Sequence, residues 1–339
     1  MSHRRTLAAT AALVLVLAGT ACGGRQTETA ATTSASAGAA VPCSIDTDTR
    51  IGIATGNATG VYYTLGNAYA EQLAAATDGK LKATAAETGA SVQNIQQLVA
   101  DQYQVAFSLF DTAADAVNGT GSFTEPQPVQ ALARIYDNYT HVIVRADAGV
   151  TGLADLKGKN VSTGSPKSGT EVIANRLLQA AGLNPDTDIS AQRLDLTKSV
   201  DGLKDGTIDA LIWSGGLPTP GITDLFTTMG AQVTFLDISP LLPKMQEINP
   251  AYQQATIAAS VYQSGAEVPT IGVPNVLLVK DGFDANTACV LTRTLFDKQP
   301  ELIQASAAAK GIDLQKAGDT APVTLSSGAQ AALDQLGAG

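Results

Sequence analysis

The sequence predicts an α/β fold in two lobes, each built on a mostly parallel sheet, with a hinge between them. Three observations predict it. Apolar runs of about four to seven residues alternate with segments of helical period, the pattern of βαβ units. Two consecutive extended runs, Val129 to Ile135 and Tyr139 to Arg145, interrupt that alternation before it starts afresh. About 300 residues follow a low-complexity N-terminal stretch, which suits two medium-sized cores better than one. A single large doubly wound domain is the competing architecture.

The elements follow in order. Arg50 to Ala54 reads as a strand, Val61 to Ala76 as a helix, Lys80 to Ala85 as a strand, Ser91 to Ala100 as a helix and Gln104 to Leu109 as a strand. After the two extended runs a second βα series begins. Its strands are Asn160 to Thr163, Ser190 to Leu194, Ile208 to Trp213 and Val233 to Leu236. Its helices are Gly169 to Ala181, Ser199 to Asp205 after the cap candidate Thr197, and Pro220 to Met229. The apolar run Thr270 to Val279 reads as the return crossing, and helices are expected over Ala285 to Phe296 and Pro300 to Ala309. These assignments place one lobe at 43–143 and 271–339 and the other at 144–270. A lobe inserted between two crossing strands puts a cleft outside the carboxyl ends of strands from both lobes.

The N-terminus fixes the compartment. Arg4 and Arg5 precede an apolar run, Leu7 to Ala18, that is too short for a permanent membrane span and reads as the core of a signal peptide over 1–21. Gly19, Thr20 and Ala21 lead into Cys22, where lipidation after cleavage is expected and simple cleavage is the alternative. Residues 22–42, rich in Gly, Thr, Ser and Ala, read as a flexible tether holding the body at the outer face of a cell membrane. Export favours a disulfide between the two remaining cysteines, Cys43 and Cys289; two separately buried thiols are the alternative.

Charge excludes some partners. Two of the 21 Lys and Arg lie in the leader, and the remainder face 31 Asp and Glu, a balance that argues against nucleic acid or anionic lipid. A small anion is still admissible, because backbone N–H groups and helix dipoles hold anions locally. Neither a metal site nor a cofactor site is legible. His141, alone after the leader, sits inside an apolar run and reads as a strand residue; without clustered histidines or a Ser-His-Asp set, the sequence names no catalytic residue.

Three strand-to-helix turns are rich in Gly, Ser and Thr. The first, Thr55 to Tyr63, contributes Thr59, Gly60, Tyr62 and Tyr63 as candidate ligand contacts; it lacks the Lys-Ser/Thr pair of a Walker motif and the spacing of a dinucleotide fingerprint. The second, Glu87 to Asn94, contributes Ser91 and Asn94, with helix capping as the plain alternative for Ser91. The third, Thr163 to Glu171, contributes Ser168, Gly169 and Thr170, and its Ser168/Glu171 pair resembles a capping box, which makes Glu171 structural. Tyr136 and Trp213 join them as aromatics with polar tips, although core packing is the simpler role for each.

At these residues the chain resembles the TAXI family, the TRAP-associated extracytoplasmic immunogenic proteins. The family's Gly-Val-Tyr-Tyr turn looks like Thr59 to Leu65, its Gly-Ser-Val-Glu-Asn-like segment like Gly89 to Leu98, and its Gly-Ser-Gly-Thr-Glu turn like Gly164 to Leu178. Asp205 to Pro220 and Ile271 to Val279 look like further family segments, so the resemblance runs from about Arg50 to Lys310. The chain departs from the pattern at Asn57-Ala58, at Gln93 and in the tail Ser326 to Ala329. The resemblance implies a type II periplasmic-binding-protein-like fold and a monomeric, extracytoplasmic receptor for glutamate, glutamine or another small carboxylate. It also implies a TRAP membrane permease as partner. The expectation is that an open form takes a carboxylate on the turns at Thr59, Ser91 and Ser168 to Thr170, and that closure buries it. A ligand sensor for a signalling kinase and an exported enzyme using the same cleft are the alternatives.

Overall fold

The computed structural model describes residues 41–338. The expected signal peptide, Cys22 and nearly all of the expected tether lie outside the described residues. In chain order the first series is β1 (Thr49–Ala54), α1 (Val61–Ala76), β2 (Leu81–Ala86), α2 (Ser91–Val99), β3 (Val105–Leu109) and α3 (Phe110–Asn118). A single 17-residue strand, β4 (Val129–Arg145), leads into the second series: β5 (Asn160–Ser162), α4 (Gly169–Ala180), β6 (Ser190–Gln192), α5 (Leu196–Asp205), β7 (Ala210–Gly215), α6 (Pro220–Met229) and β8 (Val233–Phe235). Then come α7 (Leu242–Ile248), β9 (Gln253–Ile257), α8 (Ala259–Tyr262), the return strand β10 (Val268–Lys280), α9 (Ala285–Asp297), α10 (Gln299–Ala305) and α11 (Ser327–Leu336).

The architecture is a two-lobed α/β fold whose sheets are continuous. Strand order is β2-β1-β3-β10-β4-β7-β5-β6, with β8 on β4 and β9 on β10. In each half the parallel strands run second, first, third outward-in, and a long crossing strand closes the set antiparallel to the third. Because β4 and β10 pair with each other as well as with one half each, the two parallel halves are stitched through two shared strands. The expected lobe limits at 143/144 and 270/271 fall inside these strands.

Local sequence explains the elements that frame the cleft. Along α1 the buried stripe Val61, Tyr62, Leu65, Gly66, Tyr69, Ala70, Leu73 keeps the three-to-four spacing of a helix packed on a sheet. Gly66 is required within it, since a Cβ there would lie 2.5 Å from Thr55 Cγ2, just past the end of β1. α4 starts at Ser168, whose hydroxyl accepts from Glu171 N–H, while the Glu171 carboxylate accepts from Lys167 N–H and pairs with Arg193. Cys43 and Cys289 are joined as a disulfide, their Cα atoms 5.1 Å apart, which ties the start of the body to α9.

Several elements differ from the sequence expectation. The two extended runs are one strand because Asp137 and Asn138, which read as a break, find partners inside the sheet: Asp137 accepts from Gln253 Nε2 and Arg134, and Asn138 accepts from Asn275 Nδ2. α3 escapes the sequence reading because its stripe Phe110, Ala113, Ala114 and Val117 is half alanine and because it also buries Asp111 and Asp115, both of which pair with Arg176 on α4. α5 begins at Leu196 and is capped by Asp195, whose side chain accepts from Lys198 N–H, so Thr197 lies inside the helix instead of capping it. The expected helix Pro300 to Ala309 stops at Ala305, where Ser306 turns extended before a 3₁₀ turn over Ala307–Gly311.

Candidate functional site

The turns that follow β1, β2 and β5, together with the carboxyl end of β7, converge on one cleft between the lobes. With the lobes clasped its cavity volume is only about 30 Å3, far below the roughly 300–1,000 Å3 of small-ligand sites, so the lobes must part to admit a solute. Gly56, Asn57, Gly60, Val61 and Tyr62 line it from the first turn and Gly89, Ala90 and Ser91 from the second; Ser168, Gly169 and Thr170 face them from the third. Tyr136 and Asn138 of β4, Leu109 of β3, and Trp213, Ser214, Gly215 and Gly216 complete the wall.

The structure therefore brings Gly60, Tyr62, Ser91, Tyr136, Ser168, Gly169, Thr170 and Trp213 together and leaves three candidates off the wall. Thr59 bridges the lobes instead: its hydroxyl lies 3.2 Å from that of Thr197, and its carbonyl accepts from Gly221 N–H at 3.2 Å. Tyr63 is half-buried outside the sheet-facing stripe of α1. Asn94 is fully buried beneath the wall, where Nδ2 donates to the carbonyls of Thr55 at 2.7 Å and Phe107 at 2.8 Å and so binds β1 to β3. Asn138 and Leu109 were missed. Asn138 stands in the polar break that hid the length of β4, and Leu109 gives no polar signal at all.

No lining residue carries a charged side chain, so the cleft works through hydroxyls, amides and backbone groups. Three of its hydroxyl oxygens already accept bonds from the backbone. Ser168 Oγ takes Glu171 N–H at 2.9 Å, Thr170 Oγ1 takes Ser214 N–H at 3.2 Å, and Ser91 Oγ takes Leu109 N–H at 3.0 Å. Tyr62 donates to Asn275 Oδ1; burial holds its phenol well above its ordinary pKa, partly offset by the Ser91 hydroxyl. Tyr136 is 1% exposed, burial likewise raises its phenol far above the ordinary value, and its hydroxyl oxygen has no hydrogen-bond partner among the described residues. Both tyrosines are consequently neutral at any physiological pH.

The lobes clasp each other around the cleft. Asn57, in the first turn, accepts from Leu196 N–H at 3.1 Å through Oδ1 and donates to Ser165 Oγ at 3.2 Å through Nδ2. On the other flank, Gln93 N–H donates to Lys167 carbonyl at 3.0 Å and Lys167 Nζ to Gln96 Oε1 at 3.1 Å. Lys167 thus spans the rim and does not line the cleft. Among the described residues there is no His/Cys/Asp/Glu group able to hold a metal ion, and no helix long and apolar enough to cross a membrane.

Residues 53–337 match the model of the NMT1-like family. The chain belongs to the NMT1-like family. Among solved structures, this NMT1-like chain is similar to a protein from Bordetella bronchiseptica RB50, with 21% identity over 86% of this chain and 82% of that one and a TM-score of 0.52. It is also similar to a binding protein component of an ABC phosphonate transporter from Pseudomonas aeruginosa, with 13% identity over 78% and 80% of the two chains and a TM-score of 0.52. At these identities the likeness concerns the fold, the two-lobed type II periplasmic-binding-protein-like fold.

Proposed function

We propose that this NMT1-like protein is an exported solute-binding receptor that captures a small carboxylate by cleft closure, hands it to a membrane permease, and performs no chemistry on it. The observation that carries this reading is the cleft itself: three helix starts and six hydroxyl-bearing side chains surround a small interlobe space lined by no charged side chain and no histidine. Such a lining binds and orients, but its hydroxyls have no base among the lining residues to activate them at neutral pH. The solved neighbour from Pseudomonas aeruginosa, a transporter's binding component, supports the assignment to transport.

The resemblance to TAXI proteins favours a TRAP-type permease, and the leader with Cys22 favours attachment of a monomeric receptor to the outer face of the cell membrane by lipid. A ligand shifts the lobes toward the closed form only by its differential affinity for that form. The test is a thermal-shift screen of the purified body against carboxylates and amino acids, read together with the emission of Trp213, the chain's one tryptophan and part of the cleft wall. A bound solute raises the melting temperature and changes that emission; a screen in which no small solute does either overturns the reading.

A further inference from the structure

We infer that the solute is a small carboxylate without an ammonium group, an oxo-, hydroxy- or unsubstituted acid in preference to an amino acid; this rests on the solute-receptor reading above. It parts from the glutamate and glutamine that the TAXI resemblance implies. The argument is an account of donors and acceptors around the cleft.

The donors are abundant. The N–H groups of Gly169 and Thr170 open α4, a 12-residue helix, and take no protein acceptor among the described residues. Those of Val61 and Tyr62 open α1 in the same condition. Ser168 Oγ and Thr170 Oγ1 each receive a backbone N–H and donate to no protein group among the described residues, so their protons are free to point inward. Tyr136 supplies the independent observation: a hydroxyl in a residue 1% exposed, on the cleft wall, with no partner among the described residues. A buried hydroxyl left unbonded is costly, which is the condition that a bound oxygen acceptor relieves.

Acceptors, by contrast, are neutral, and the amide and carbonyl oxygens nearest the turns are already engaged. Asn57 Oδ1 is taken by Leu196 N–H and Asn138 Oδ1 by Asn275 Nδ2. The Gly56 carbonyl is taken by Thr88 N–H and the Gly216 carbonyl by Thr219 Oγ1. No Asp or Glu lines the wall. An α-ammonium carries three protons that each need an acceptor once water is expelled, and a buried cation without an anionic partner is strongly disfavoured. A carboxylate meets the opposite situation, with several donors aimed at one acceptor-only group.

The experiment titrates the protein with pairs that differ at the amino-bearing carbon: L-glutamate against 2-oxoglutarate and glutarate, L-aspartate against succinate, and L-alanine against pyruvate. Binding is read by Trp213 emission and by melting temperature. In parallel, denatured protein freshly purified from its native host is analysed by mass spectrometry for any released solute. In every pair that binds, the ammonium-free member is expected to bind at least about tenfold tighter, and a released solute is expected to lack an amine. Tyr136→Phe is expected to weaken binding of the best acid about tenfold, the weight of one hydrogen bond to a charged group, while leaving the melting temperature of the free protein unchanged or higher. An amino acid that binds as tightly as its partner, an amine on the released solute, or full affinity in Tyr136→Phe would overturn the inference and leave the receptor reading standing. If no compound binds and no solute is released, the receptor reading falls and this inference with it.

Discussion

Asn57→Ala, paired with Ser165→Ala off the cleft wall, tests whether lobe-to-lobe bonds set the affinity. Asn57 makes two bonds across the cleft, from Leu196 N–H at 3.1 Å and to Ser165 Oγ at 3.2 Å, and one inside its own lobe, to Thr88 carbonyl at 3.3 Å. The two crossing bonds exist only while the lobes are clasped. A neutral intramolecular hydrogen bond contributes about 0.5–1.5 kcal/mol, so losing both removes about 1–3 kcal/mol from the closed form alone. Since apparent affinity scales with the fraction of protein able to close, solute affinity should fall roughly 5- to 150-fold. Ser165→Ala removes a single crossing bond and should cost about 2- to 12-fold. The assay is a Trp213 emission titration with the solute found in the screen, accompanied by small-angle scattering with and without it. Unchanged affinity in both variants, with the same scattering change on adding solute as the parent, would refute the clasp.

Three further outcomes follow from the geometry. Gly169→Ala should abolish solute binding with little loss of melting temperature in the free protein, because the new Cβ would lie 2.5 Å from Leu109 Cδ1 and 2.7 Å from Ser91 Oγ, both across the cleft; retained binding in the same titration contradicts it. His141 is fully buried between Tyr139 carbonyl and the Tyr262 hydroxyl, and burial lowers its pKa from 6.5 to about 4. The unfolded chain therefore binds the proton first, so stability is fully present above pH 6.5 and declines by up to about 3 kcal/mol as the pH falls to 4; melting curves across that range should be flatter in His141→Gln. Reducing the Cys43–Cys289 bond, which spans 246 residues, should lower stability by about 2–5 kcal/mol in chemical denaturation and leave solute affinity unchanged, as neither cysteine lines the cleft.

Where apolar periodicity and turn chemistry acted together, the sequence was legible. Val61 to Ala76 was recoverable to the residue because its stripe is regular and Gly60 precedes it, and most of the cleft wall could be located because Gly, Ser and Thr accumulate where strands hand over to helices. What escaped was written in polar residues with distant partners. Asp137 and Asn138 looked like a break until Gln253 and Asn275 satisfied them. α3 hid because its Asp111 and Asp115 belong to a buried cluster with Arg176, 65 and 61 positions away. Asn94 and Thr59 carry the right chemistry in the right turns, yet one fastens two strands and the other fastens two lobes; only tertiary contacts distinguish those duties from touching a solute.

The measurement that bears most directly on the central claim is a crystal structure of the protein with the solute it carries from its native host. The account predicts a carboxylate inside the cleft, with its oxygens within hydrogen-bond reach of the Thr170 hydroxyl, the first N–H groups of α4 and the Tyr136 hydroxyl. A solute seated elsewhere, or one whose charge is met by a lysine or arginine side chain, would contradict it.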